Sequence, residues 1–174
     1  MTTYPPWAAG QRITGEALRA GLPDWIDKPI DEPRTSTSTL QADLHLTLPV
    51  AAGARYTFTA QLFIGAADSA ADIKAGFAFP AGSTCHFGGT GAHTGALTSG
   101  TSGVDEHFAI RDAVSASSVL GFGVSSGAPT WARLEGVLTA AAAGSLTLWW
   151  AQNVPAGTAT KLLAGSWLEL RRRA

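Results

Sequence analysis

Side chains able to hold a metal ion gather in one stretch, where Cys85 and His86 are adjacent and His93 follows in a Gly-rich run. Zinc sites need several N or S ligands converging tetrahedrally from short, ordered spacings. A Cys-His pair with one distant histidine matches no such spacing. His86 and His93 therefore read as surface or loop-packed residues, and no metal or other cofactor is expected. In a trimer, one histidine per chain could still meet its copies on the axis.

The carboxylates are equally scattered. Hydrolysis of a glycan needs two carboxyl groups facing each other ~5–9 Å apart. Asp105 and Glu106 are neighbours in a strand-like run and so point to opposite faces, while Asp68, Asp72, Asp112 and Glu135 are isolated. The Ser-rich stretches have no partnered His and Asp, and the glycines of GGTGAHTG do not follow a strand and open a helix as a phosphate loop would. An enzyme is not expected.

Aromatic residues offer the remaining chemistry. Trp131, Trp149, Trp150 and Trp167 could stack on sugar rings, and Trp131, Trp149 and Trp150, with His86 and His93, are the candidates for a surface or glycan contact. Trp149 and Trp150 are consecutive, so one ring is expected in the core and the other exposed or in an interface. Tryptophan is also enriched at assembly contacts, where it contributes large rigid area. The terminal Arg171-Arg172-Arg173 triplet reads as a phosphate-binding cluster or as a solvated tail.

The elements that must position these residues are strands. Leu44, Leu46, Leu48 and Val50 alternate with polar residues, and after Ala51-Ala52-Gly53 so do Tyr56, Phe58, Ala60, Leu62 and Ile64. Period-two alternation places each set on one face of a strand, and two such runs around a short Gly-containing turn predict a β-hairpin over 43–65. Further strands are expected over 73–79, 104–110, 119–124, 131–138, 145–151 and 160–171, with 34–39 as a first edge strand or its lead-in. Gly53 and Gly144 each sit in an Ala-rich turn before a strand ending Ala-Gln, a recurring hairpin solution. Between 81 and 103 the period dissolves into Gly, Ser and Thr, which predicts a long functional or partner-bound loop. The spacing of strands with almost no helix points to an all-β fold, a jelly-roll-like two-sheet sandwich over 35–174.

Residues 1–34 differ. Pro5, Pro6, Pro23, Pro29 and Pro33 favour extended backbone, and only Thr14 to Ala20 has a helical pattern, with Thr14 as its cap and Gly21 as its stop. Trp7, Ile13, Leu22, Trp25 and Ile26 are large apolar groups on a segment too irregular to form its own core. They bury either on a partner, as the anchors of a docking arm, or against the chain's own sandwich. Fully extended, such an arm reaches up to ~90 Å.

Bulk properties narrow the choice. With 174 residues, the chain suits one domain burying roughly 70% of its unfolded surface. A net charge of −1 with 14% charged residues gives no electrostatic case for nucleic acid or an anionic membrane. No apolar run approaches the ~18 residues of a membrane span. Cys85 is the only cysteine, so no intrachain disulfide forms and stability must come from packing or assembly. A small, weakly polar surface suits subunit contact. The start, MTTYPPWAAGQ, lacks the regions of a signal peptide, which predicts synthesis in the cytoplasm. Arg outnumbers Lys beside abundant Ala and Gly, as in proteins of GC-rich genomes.

Two stretches carry a family resemblance. Trp7-Ala8-Ala9-Gly10-Gln11-Arg12-Ile13-Thr14, and Ala164-Gly165-Ser166-Trp167-Leu168-Glu169-Leu170-Arg171-Arg172, resemble the terminal segments of virion structural proteins of phages infecting actinobacteria. The LTLPVAAGARYTF stretch and the Trp-Ala-Gln strand at 150–152 are similar to the same group. The resemblance implies a minor tail, fibre-like or head-decoration protein, with a sandwich that commonly trimerises and no defined active-site residues. The expected partners are copies of itself and the capsid or tail proteins of the same virion. A glycan-binding module for host-surface recognition is the alternative.

Overall fold

The computed structural model describes residues 21–94, 108–113 and 118–173, together with Ala9, Gly10, Arg12, Thr14, Gly15 and Leu18. Trp7, Ile13 and most of the helix expected over 14–20 lie outside the described residues. Everything regular in the described chain beyond residue 20 is strand, in chain order β1 (Asp24–Asp27), β2 (Glu32–Arg34), β3 (Gln41–Val50), β4 (Arg55–Ala66), β5 (Ile73–Ala78) and β6 (Thr84–Ala92). Then follow β7 (Phe108–Ala113), β8 (Leu120–Phe122), β9 (Thr130–Thr139), β10 (Gly144–Gln152), β11 (Thr160–Leu162) and β12 (Trp167–Arg172).

The strands form two antiparallel sheets, a larger one in the order β1-β12-β4-β9-β6-β7, with β2 and β11 attached, and a smaller one in the order β3-β10-β5-β8. Pairs nest from the outside of the chain inward: β1 with β12, β3 with β10, β4 with β9, and β5 with β8. That nesting, folded so that β12 also meets β4 and β10 also meets β5, is the winding of a jelly roll. The β6–β7 pair is inserted between β5 and β8 and extends the larger sheet beyond β9. Between the sheets lies one core, in which Phe77 meets both Phe58 and Phe87 edge to face.

The expected hairpin over 43–65 is not a hairpin. Its two strands lie in different sheets, β3 paired with β10 and β4 with β9 and β12, so residues 51–54 form an arch across the core. Period-two alternation fixes which side of each strand is apolar, and an arch and a hairpin satisfy it equally well. Residues 140–143 make the same crossing between β9 and β10. The two arches stack: Gly53, at φ 71°, donates its amide to Ala140, which donates in turn to Ala54. The recurring Ala-rich turns are therefore two layers of one inter-sheet corner.

Three further expectations change. Leu44 is 75% exposed while Asp43 is buried, because β3 bulges over 43–46 opposite a single step of β10 and the facing parity flips there. Within the Gly-rich stretch, β6 is a full strand whose inward positions are Cys85, Phe87, Gly89 and Gly91. The glycines hide its period because their space is filled from across the core. A Cβ on Gly89 or Gly91 would stand 2.8 or 2.7 Å from the Phe122 ring. The composition boundary at 34 is also crossed: β1 pairs with β12, β2 pairs with β11, and Ile26 packs on the core. Residues 24–34 thus belong to the sandwich, because two edge-strand backbones supply the partners that irregular apolar residues lacked.

Candidate functional site

The anchor candidates described by the structure divide. Leu22 is exposed just before β1, whereas Ile26 is half-buried inside it. Trp25 is 48% exposed and stacks on Trp167 of β12 at 4.2 Å between ring centroids, its Nε1 donating to Asp27 at 2.9 Å. Ile26 and the stacking face of Trp25 are therefore committed to the chain's own sandwich, leaving the outer face of Trp25 and Leu22 open.

The aromatic and histidine candidates do not assemble into one platform. Trp150 points into the core and is fully buried, while its neighbour Trp149 is 37% exposed on the outer face of the smaller sheet. Trp149 walls a shallow cleft of about 480 Å³ lined by Ala78, Pro80, Ala142 and Ser145. Trp131 is 43% exposed on the other side of the molecule, on β9 directly opposite Phe63 of β4. Phe63 and Trp131, with Trp25 and Trp167 on the neighbouring strands, make the outer face of the larger sheet aromatic. His86 is exposed near the start of β6 and His93 lies just past its end. Seven residues of extended strand separate them by roughly 20 Å, too far for both to bind one ion. Gly123-Val124-Ser125-Ser126-Gly127 carries the spelling of a G-x-S-x-G nucleophile elbow. An elbow needs a strand-to-helix turn, but β8 leads through this segment toward strand β9, and Ser125 is buried.

The most organised polar chemistry lies where the sequence reading did not look. Strands β1 and β2 are separated by a break at 28–31, and strands β11 and β12 by a break at 163–166 at the same level. Lys28 and Ser166 tie the two breaks together: the Lys28 amide donates to Ser166, and the Gly165 amide donates to Lys28. The break turns the Lys28 side chain inward, where its ammonium lies 2.6 Å from Asp43 Oδ2 and 2.7 Å from Glu32 Oε2. Both Lys28 and Asp43 have 0% side-chain exposure. The β3 bulge supplies the other half, because Asp43 Oδ1 accepts the amides of His45 and Leu46, each at 2.9 Å. Trp150 Nε1 donates to Asp43 Oδ2 at 3.2 Å, which is why this tryptophan, and not Trp149, is the buried one.

Arg34 completes the network. Its guanidinium lies over the Trp150 ring at 3.9 Å, donates to the carbonyls of Gln41, Ala42 and Trp150, and pairs with Glu32 Oε1 at 2.5 Å. Two cations and two carboxylates thus sit together with no net charge, the condition under which buried ions are tolerated. Burial pushes the Asp43 carboxyl up, but Lys28 and the two backbone amides outweigh it and hold the carboxyl below its ordinary value. Glu32, Asp43 and His45 place ligand atoms within 4.8 Å of one another, the spacing of a cation site. The Lys28 ammonium already contacts both carboxylates there, so a side chain fills that position.

One signal in the sequence could have found this cluster. Asp24, Asp27, Lys28, Asp31, Glu32, Arg34 and Asp43 concentrate charge in a short segment of a chain otherwise poor in it. No protein-family model, curated protein or solved structure matches the chain.

Proposed function

We propose that the chain is a non-enzymatic bacteriophage virion structural protein, a head-decoration or tail component. It docks through its N-terminal segment and projects a trimer-forming jelly roll. The observation that carries this reading is the exposed aromatic surface at the root of the arm, where Trp25 stacks on Trp167 beside the exposed Leu22. An apolar surface at the point where the segment enters the sheet suits a contact that continues from arm to domain. The low net charge and the resemblance of both terminal stretches to actinobacteriophage virion proteins support it, and jelly rolls recur in viral capsid domains.

The test is incorporation. Protein lacking residues 1–20 keeps β1 whole, and the expected result is a folded protein that no longer copurifies with particles. Wild-type copy number in particles carrying this truncation would sink the reading. Native mass spectrometry of the full chain is expected to give three copies, and a strict monomer would remove the trimer.

A second reading is favoured by Phe63 opposite Trp131: recognition of host-surface glycan on the outer face of the larger sheet. Paired aromatic rings offer flat apolar area to sugar faces. Binding of purified host cell-wall polysaccharide should weaken at least tenfold in Trp131→Ala, a loss of about 1.4 kcal/mol or more. Equal binding by both proteins, or none by either, would exclude this surface as a glycan site.

A further inference from the structure

We propose that Lys28 and Asp43 condense spontaneously into an intramolecular isopeptide bond, Nζ to Cγ, with Glu32 moving the protons. The three groups stand as that reaction needs them. Lys28 Nζ is 2.6 Å from Asp43 Oδ2 and 2.7 Å from Glu32 Oε2, and the Lys28 and Asp43 side chains are sealed from solvent. In water an ammonium and a carboxylate stay ionised and do not condense. Sealed from water, the pair stands one proton transfer along the 2.6 Å contact from amine and carboxylic acid, the forms in which the nitrogen lone pair is free to attack.

The steps balance. The Nζ lone pair attacks Cγ, the C–N bond forms, and the carbonyl electron pair moves onto Oδ1. There the amides of His45 and Leu46, each 2.9 Å away, stabilise the developing negative charge as an oxyanion hole does. The Glu32 carboxylate takes a proton from the nitrogen and delivers it to Oδ2 as the Cγ–Oδ2 bond breaks. One water leaves, a secondary amide remains, and Glu32 returns to its starting state. Nothing is oxidised or reduced. Arg34 is a positioning residue: held by three backbone carbonyls, it fixes Glu32 through Oε1 and leaves Oε2 for Nζ.

The bond would join the β1–β2 break to the β3 bulge, stapling the first strands of the two sheets across the open edge of the sandwich. The chain's single cysteine makes no internal disulfide, so this is a covalent tie that its own side chains can form. It would lie just after the arm, where a load on the N-terminal segment enters the fold.

Intact-mass measurement of folded full-length protein, unfolded only for the spectrometer, decides the matter. The expected mass is below that of the sequence by one water, after allowance for the initiator methionine. Trypsin should then release residues 20–34 and 35–55 as one branched peptide, with fragment ions placing the link at Lys28 and Asp43. Glu32→Gln, nearly isosteric, is expected to show the full mass and two separate peptides. The proposal is overturned by folded wild-type protein of full mass with separate peptides, or by a water loss mapped to another residue. A Glu32→Gln protein cross-linked as completely as wild type would overturn the role of Glu32.

Discussion

Residue parity was the part of the side-chain arrangement open to reading in advance. Trp149 and Trp150 had to face opposite ways, but nothing local says which is inside; the Asp43 carboxylate and the Arg34 guanidinium, both brought in by other strands, decide it. Removing that ring by Trp150→Ala should cost about 3–5 kcal/mol in urea unfolding, since it leaves a large cavity and unpairs a stacked cation. Cys85 is a second residue whose behaviour depends on its surroundings. Burial against the core pushes its thiol from the ordinary 9.0 up to about 12. The folded state therefore retains a proton that the unfolded chain loses, so stability is complete below pH 9.0 and falls as pH rises between 9.0 and about 12. The slope from this group is roughly 1.4 kcal/mol per pH unit. Cys85→Ala should flatten that alkaline decline in denaturant titrations, and an unchanged slope would show that the thiol does not report it.

At the level of elements, strands with branched or aromatic inward residues were legible and the glycine strand was not. β4 and β10 declare themselves because their inward positions are filled by their own side chains. β6 places Gly89 and Gly91 inward because Phe122 of β8 occupies that volume from across the core. Pattern reading registers a missing side chain as a missing strand. Gly91→Val should accordingly cost about 1–3 kcal/mol by overpacking. In the Phe122→Ala background the same substitution should cost less, a coupling measurable as a double-mutant cycle. The β3 bulge failed to show for a related reason. Its parity flip satisfies Lys28 and Trp150, which are remote in sequence, and it leaves Leu44 exposed as a consequence.

For the whole molecule, the N-terminal boundary moves. Deleting residues 1–20 leaves all twelve described strands intact, and calorimetry should find Tm within a few degrees of wild type. Deleting 1–27 removes β1, uncovers the edge of β12 and takes away the Trp25–Trp167 stack. A loss of about 2–4 kcal/mol is expected, lowering Tm by roughly 5–15 °C for a domain of this size. Equal Tm values for the two truncations would show β1 to be a passive edge. By itself the sequence determined the all-β class, the apolar side of strands such as β4, β5 and β10, and the want of an internal disulfide. These rest on local periodicity and composition, which each strand carries within itself. Only the tertiary structure decided that Leu48 and Tyr56 belong to different sheets, that Asp24 to Arg34 completes the larger one, and that Lys28 meets Asp43. Each of those depends on which distant backbone supplies the hydrogen bonds, and an alternating pattern names a face without naming a partner.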